Sequence, residues 1–305
     1  MAAFKHNYAI ICRIPQSFRD RSIGAQGKKM DVDKAKREYE QFKATLKNCD
    51  INIIELQEDE NYPDCCFVED CAVTIGGTAL IARPVASRQG EVGEIRKVLR
   101  DDLGLKVVEI ADPKATLEGG DVLFTGKEIL VGIGKRTNEG GAQAVVDAFP
   151  EYPITPINIA DLDILHLKNA INVAGRDILA ICGGKEGKSI RSQMEQLAEY
   201  RCKLLHLESQ VSIDMLYING RLLHRTREEM GDSNYGCIDE KILYTRHRVS
   251  LEELSKAGGR IASMVLLVSK HRSQKKIISN LTEDDIAPFS QFKDLTYASN
   301  TLTKK

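Results

Sequence analysis

Tryptophan is absent, and no charge of one sign prevails: 43 Lys+Arg stand against 44 Asp+Glu in 305 residues. The missing basic excess argues against nucleic acid or an anionic membrane as partner, since both select for surplus positive charge. No stretch approaches the roughly 18 consecutive apolar residues of a membrane helix. The first apolar run, Tyr8 to Cys12, is too short for the central segment of a signal peptide. A soluble, cytoplasmic protein is therefore expected. None of the eight cysteines forms a CxxC pair, and HExxH is missing. That removes the common zinc cages, and neither metal nor cofactor is expected. In a reducing compartment the cysteines are expected as free thiols. None follows Cys237.

What is present is a repeat carried by turns. Residues 71–75 and 78–82 flank Gly76-Gly77, and 121–125 and 128–131 flank Gly126-Lys127. Residues 170–174 and 177–182 flank Gly175-Arg176, and 215–218 and 221–224 flank Asn219-Gly220. Each reads as a β-hairpin, because Gly or Asn supplies the positive φ of a tight turn. The hairpins recur roughly every 45 to 50 residues, a repeat-like spacing. After three of them come a helix and an extended run. The stripe Val92, Ile95, Val98, Leu99 precedes 106–110; 142–149 precedes 154–159; and Ile190, Met194, Leu197 precede 203–207. The unit is strand–strand–helix–strand. The fourth is irregular, with a shorter helix and a long loop around 225–236.

The two ends read as a fifth unit cut in two. The strand 8–13, a helix with Ala35, Tyr39, Phe42 and Leu46 on one face, and the strand 51–56 lack one hairpin partner. The apolar run 261–268 is the candidate. Pairing the ends would close a ring and remove exposed edges. The fold class expected is α/β, a five-bladed α/β propeller closed by the N- and C-terminal strands. An open α/β sheet with coincidental turn spacing is the alternative. One domain is expected over residues 1–270, followed by a polar, solvated tail over 271–305. The loop 14–30, rich in Gly, Lys, Arg and Ser, reads either as a lid or as disorder.

Polar residues concentrate just ahead of the hairpins. Asp64, Glu69 and Asp70 precede the first, with Asp64 and Asp70 on one side if the segment is extended. Clustered carboxylates need a cation or donors, which a guanidinium or ammonium ligand would supply; a surface acidic turn is the plain alternative. Glu118, in Glu118-Gly119-Gly120-Asp121, opens the second hairpin. His166 precedes the third, and alone it reads as a packed core histidine. Their shared place in successive units would converge on the axis of a ring. Arg88 and Arg136 follow the first two hairpins and suit a carboxylate, although singly each reads as a surface arginine.

Several longer stretches resemble the dimethylarginine dimethylaminohydrolase family. They are Pro63-Asp64-Cys65-Cys66-Phe67-Val68-Glu69-Asp70, Thr116-Leu117-Glu118-Gly119-Gly120-Asp121-Val122-Leu123-Phe124-Thr125-Gly126, Gly134-Lys135-Arg136-Thr137-Asn138, Leu165-His166-Leu167-Lys168 and Leu222-Leu223-His224-Arg225-Thr226. The resemblance runs from Tyr8 to Val268. It implies the five-bladed propeller and hydrolysis of methylated arginine. It further implies that Asp64 and Glu69 hold a guanidinium, with Asp70 beside them at the substrate's amino end. Arg88 and Arg136 would clamp an α-carboxylate, His166 would be the acid/base oriented by Glu118, and the loop 14–30 would be the lid. The partner implied is a small guanidino compound, for a monomer or a homodimer.

The family's nucleophilic cysteine, in a pattern Asp-Gly-x-x-x-Cys, meets Gly258-Gly259-Arg260-Ile261-Ala262-Ser263 here. Ser263 takes the cysteine's place and Gly258 the aspartate's. A shift by one residue gives Ala262 or Met264, so no register recovers a thiol. A single engineered exchange would not alter both positions; a reading-frame error near the C-terminus would. A serine hydroxyl is a far weaker acid than a thiol and needs a dedicated base. Three functions stay open: a ligand-binding homologue with weak or no hydrolysis, an active hydrolase forming citrulline, and an interaction protein with a vestigial pocket.

Overall fold

The computed structural model of the protein describes residues 3–22 and 28–270. The tail 271–305 and part of the expected lid, 23–27, lie outside the described residues. The chain begins with β1 (Tyr8–Cys12), α1 (Phe18–Arg21), α2 (Val32–Lys47) and β2 (Asn52–Leu56). Next come β3 (Ala72–Ile75), β4 (Thr78–Ile81), α3 (Val92–Lys97) and β5 (Lys106–Val108), then β6 (Val122–Phe124), β7 (Ile129–Ile133), α4 (Glu139–Ala148) and β8 (Ile154–Asn158). They are followed by β9 (Ile171–Gly175), β10 (Ile178–Cys182), α5 (Gly184–Leu197) and β11 (Lys203–Leu207). The last elements are β12 (Met215–Ile218), β13 (Arg221–Arg225), α6 (Arg227–Met230), α7 (Asp232–Lys241), β14 (Arg246–Val249), α8 (Glu252–Lys256) and β15 (Leu266–Val268).

The strands form five three-stranded sheets of one design. In each, a middle strand runs antiparallel to one neighbour and parallel to the other. The sheet β15-β1-β2 draws on both ends of the described chain: Tyr8 pairs with Val268 and Ile10 with Leu266. Two turns explain the register of their hairpins. Gly76 and Gly77 have φ of +58° and +93°, and Asn219 and Gly220 have +50° and +81°. Two successive positive φ values match the twist of the flanking strands.

Apolar side chains fill the spaces between successive sheets. Ile10, Ala72, Ile81 and Leu99 pack between the first two sheets, and Leu80, Val131, Val145 and Phe149 between the second and third. Leu130, Ile181, Ile190 and Leu222 join the third, fourth and fifth. Ile11, Phe42, Leu223 and Leu251 return from the fifth to the first. Helix α2 reaches this last core through Ala35, Tyr39, Phe42 and Leu46, the stripe expected from its spacing. Among the described residues, no helix is long and apolar enough to cross a membrane.

Five local expectations are corrected. Only Leu266–Val268 of the run 261–268 is strand, and Ala262–Met264 forms a 3-10 turn. There the Ser263 side chain bonds backbone that a ladder would otherwise use. The expected loop at 225–236 is occupied by α6 and the start of α7. A capping box between Thr226 and Glu229 starts α6, and α7 carries no clear apolar stripe to announce it. Leu197, placed on the buried face of α5, is 56% exposed. The segment before the first hairpin is not extended, because Val68–Cys71 is a 3-10 turn. The stretch 14–30 is not all loop: it contains α1, and Ile14, Phe18 and Met30 are buried in the core.

Candidate functional site

Short turns precede the first strands of the hairpins. The 3-10 turns Val68–Cys71, Gly119–Asp121, Leu167–Asn169 and Ala262–Met264 stand ahead of β3, β6, β9 and β15. They bring side chains from distant parts of the chain to one cavity of about 250 Å3. Asp64, Asp70, Arg88, Glu118, Arg136, His166 and Ser263 line it, together with Arg260. Glu69 is the one expected site residue that does not. Its carboxylate turns to a neighbouring cavity of about 150 Å3, lined by residues of β3, β6, β9, β12 and β15. There it accepts from Lys168 Nζ at 2.7 Å and from Arg260 Nη2 at 3.1 Å.

The turns are tied to one another by aspartates. Asp70 Oδ1 accepts from the Gly120 N–H at 3.1 Å. Asp121 Oδ1 accepts from the Leu167 N–H at 2.9 Å, and Asp214 Oδ1 from the Ile261 N–H at 2.9 Å. Each bond joins the turn of one unit to the turn of a later one. Asp121 and Asp214 went unread in the sequence, although a recurring Asp at the start of an apolar strand was the available signal.

His166 Nε2 lies 2.6 Å from Glu118 Oε2 and 3.9 Å from Asp70 Oδ1. Burial alone would lower the imidazole pKa, but the Asp70 charge and the Glu118 hydrogen bond outweigh it and raise it. The ring is thus held more basic than a free imidazole. Glu118 Oε1 also accepts from the Val85 N–H and from Arg136 Nη1, at 3.2 and 3.5 Å. Asp70 is buried, which raises its pKa, but His166, Arg88 and Arg260 overcome this and hold it well below the usual carboxylate range. Arg88 is spent on the protein itself. Nη1 meets Asp70 at 2.7 Å, Nε and Nη2 meet Glu91, and Nη2 also donates to the carbonyls of Asp64 and Phe67. Asp64, also buried, accepts from the hydroxyl of Ser22, a residue within the expected lid 14–30.

Ser263 is 4% exposed, and its hydroxyl faces its own turn. It accepts from the Arg260 N–H at 2.9 Å and donates to the Arg260 carbonyl at 2.8 Å. Gly258 has φ of +84°, and its N–H bonds the Ser255 carbonyl as α8 ends. An aspartate would be strained in that conformation, so the glycine suits the backbone it occupies. Arg260, which no sequence motif singles out, is 6% exposed, and its Nη1 has no hydrogen-bond partner among the described residues. A methyl group on Gly120 would lie 2.8 Å from Arg260 Nη2, 2.8 Å from His166 Cγ and 3.0 Å from Asp70 Oδ1. These three groups converge on a bare glycine.

Asp70, Glu118 and His166 present ligand atoms within 4.8 Å of one another, the geometry of a metal trio. However, Asp70 is already paired with Arg88, and Glu118 with Arg136. A divalent cation would meet resident guanidinium groups, so the trio suits proton handling better than metal binding.

The model for the family "N,N dimethylarginine dimethylhydrolase, eukaryotic" matches residues 15–209. The chain is 33% identical over 274 residues to the putative hydrolase DDAH2 of Homo sapiens, covering 86% of this chain and 94% of the relative. It is 27% identical over 270 residues to the N(G),N(G)-dimethylarginine dimethylaminohydrolase of Pseudomonas aeruginosa, covering 86% and 99%. A solved Cys-to-Ser mutant of the P. aeruginosa protein, complexed with citrulline, matches with a TM-score of 0.76 at 24% identity, over 87% of this chain and 100% of that one. At that identity the likeness is one of fold. The family match spans more than half of the sequence, and the chain belongs to the dimethylarginine dimethylaminohydrolase family of hydrolases.

Proposed function

We propose that this chain is a ligand-binding member of its family, in which the pocket is kept and thiol-type hydrolysis is lost. The ligand is a small amino acid of the arginine–citrulline type. The observation that carries this reading is the state of Ser263. Both hydrogen bonds of its hydroxyl are made to the Arg260 backbone, and His166 is engaged with Glu118 instead. A hydroxyl that meets no base is not activated for attack. The pocket side chains have the opposite character. Glu118 holds His166, Asp70 keeps its charge, and Arg136, 17% exposed along its side chain, is the guanidinium free enough to take a ligand carboxylate. Arg88 holds Asp70 and the turn carbonyls. Asp64, tied to Ser22, couples the pocket to the lid segment.

The same reading takes the five sheets as five blades of an α/β propeller. Their shared strand pattern, the cores between successive sheets and a cavity lined from β3, β6, β9, β12 and β15 all support it. A citrulline-release assay with arginine and methylated arginines tests the loss of hydrolysis. No turnover above the Ser263→Ala variant is expected; a rate that falls in that variant would make Ser263 a working nucleophile. Titration calorimetry with arginine and citrulline tests binding, and no heat from either would overturn it.

A further inference from the structure

We infer that Arg260 is a resident guanidinium that sets the ligand class of this pocket, selecting a neutral ureido or amide head over a guanidinium cation. The inference rests on the ligand-binding reading above and narrows it. Arg260 is buried against the wall formed by Gly120, His166 and Asp70. Its Nη2 donates to Glu69 at 3.1 Å, which tethers the group. A cation therefore already stands beside the carboxylates that would otherwise attract one.

Charge accounting points the same way. Every carboxylate that meets a cation here meets one of the protein's own. Asp70 has Arg88, Glu69 has Lys168 and Arg260, and Glu118 has His166 and Arg136. A second guanidinium would enter beside Arg260 with repulsion unscreened by water, and Asp70, Glu69 and Glu118 are already paired within the protein. Nη1 of Arg260 adds a positive requirement. It is buried, belongs to a residue that lines the ligand cavity and lacks an acceptor among the described residues. A buried donor without an acceptor is costly, and a ligand that brings an oxygen removes that cost. A ureido or amide carbonyl supplies the oxygen, and its N–H groups can donate to carboxylate lone pairs on Asp70. A guanidinium carries donors only and leaves Nη1 unanswered.

Calorimetric titration of the full chain with citrulline and with arginine tests this. Citrulline is expected to bind at least tenfold tighter. Arg260→Met removes the charge and the unpaired donor, and is expected to lower that ratio at least tenfold. If arginine binds the unmodified protein as tightly as citrulline, the role of Arg260 is refuted while ligand binding stands. If neither binds, the ligand-binding reading itself fails. The comparison on the unmodified chain decides the matter even if Arg260→Met does not fold, and circular dichroism of the variant shows which case applies. A folded variant with an unchanged ratio also overturns the inference.

Discussion

One guanidinium, Arg88, serves two buried carboxylates and cannot fully answer both. Asp70 keeps its charge because His166 and Arg260 help. Glu91 has the Arg88 guanidinium at 2.8 Å and little else, and burial pushes it from 4.5 up to about 7. An acid whose pKa rises on folding binds its proton more tightly in the folded state. It therefore favours folding at low pH, and this contribution is lost as pH climbs from about 4.5 through about 7. Glu91→Gln keeps the shape and an acceptor for Arg88 but cannot ionise. Its stability relative to the parent should rise by about 1–3 kcal/mol between pH 5 and pH 8. Urea unfolding at the two pH values measures it, and a constant difference would mean that Glu91 does not titrate there. Nothing in the sequence pattern marked Glu91 or Arg260. Arg260 opens an apolar run whose comparison with the family drew attention to the missing thiol, three residues on. A buried arginine's importance lies in what surrounds it, and that is set by turns from other units.

At the scale of elements, the hairpins and the longer amphipathic helices were legible because their chemistry is local. Gly76-Gly77 and Asn219-Gly220 announce their turns, and the four apolar residues of α2 recur at helical spacing. The third hairpin shows the limit of such signals. Its positive φ falls on Asp177 instead of the expected Gly175-Arg176, and the β9–β10 register shifts beside it. The 3-10 turns that build the site were not legible. Each spans only three or four residues, and bonds from another unit help to fix it. Asp121 illustrates this. It is fully buried, accepts the Leu167 N–H and takes the Thr137 hydroxyl at 2.7 Å, while Thr137 itself accepts the Glu118 N–H at 3.2 Å. One side chain thus steadies the stretches that carry both His166 and Glu118. Asp121→Ala strands two buried donors and should cost about 2–4 kcal/mol. Burial pushes the Asp121 pKa up to about 6, so below that pH the carboxyl is largely neutral, and there Asp121→Asn, which keeps the shape and an acceptor, should recover at least half of the loss. Denaturant titration of the two variants checks the order. Equal losses would mean that the position needs the carboxylate's charge or its second acceptor oxygen, which the isosteric amide lacks.

For the molecule as a whole, the pairing of the two ends is the decisive feature, and the sequence offered it as an incomplete unit with one apolar run left over. What it misjudged was extent, since three residues of that run pair and the rest turns into the site. Strand β15 nevertheless does much. Leu266 and Val268 are buried in the core between the first two sheets, and the strand covers the free edge of β1. Removing it would expose about 1.5–3 kcal/mol of apolar burial per side chain and leave an open edge. Against a net stability of about 5–15 kcal/mol, that is enough to unfold a marginal domain. The proposed domain boundary at Lys270 can be tested on the same ground. A chain ending at Lys270 keeps every paired strand of the described residues, and its melting midpoint should lie within about 2 °C of the full chain, a change below about 1 kcal/mol for a domain of this size. A chain ending at Val265 should lose cooperative unfolding. Differential scanning calorimetry of the two truncations separates the cases: a fall of more than about 5 °C in the longer one would show that residues beyond Lys270 belong to the folded unit.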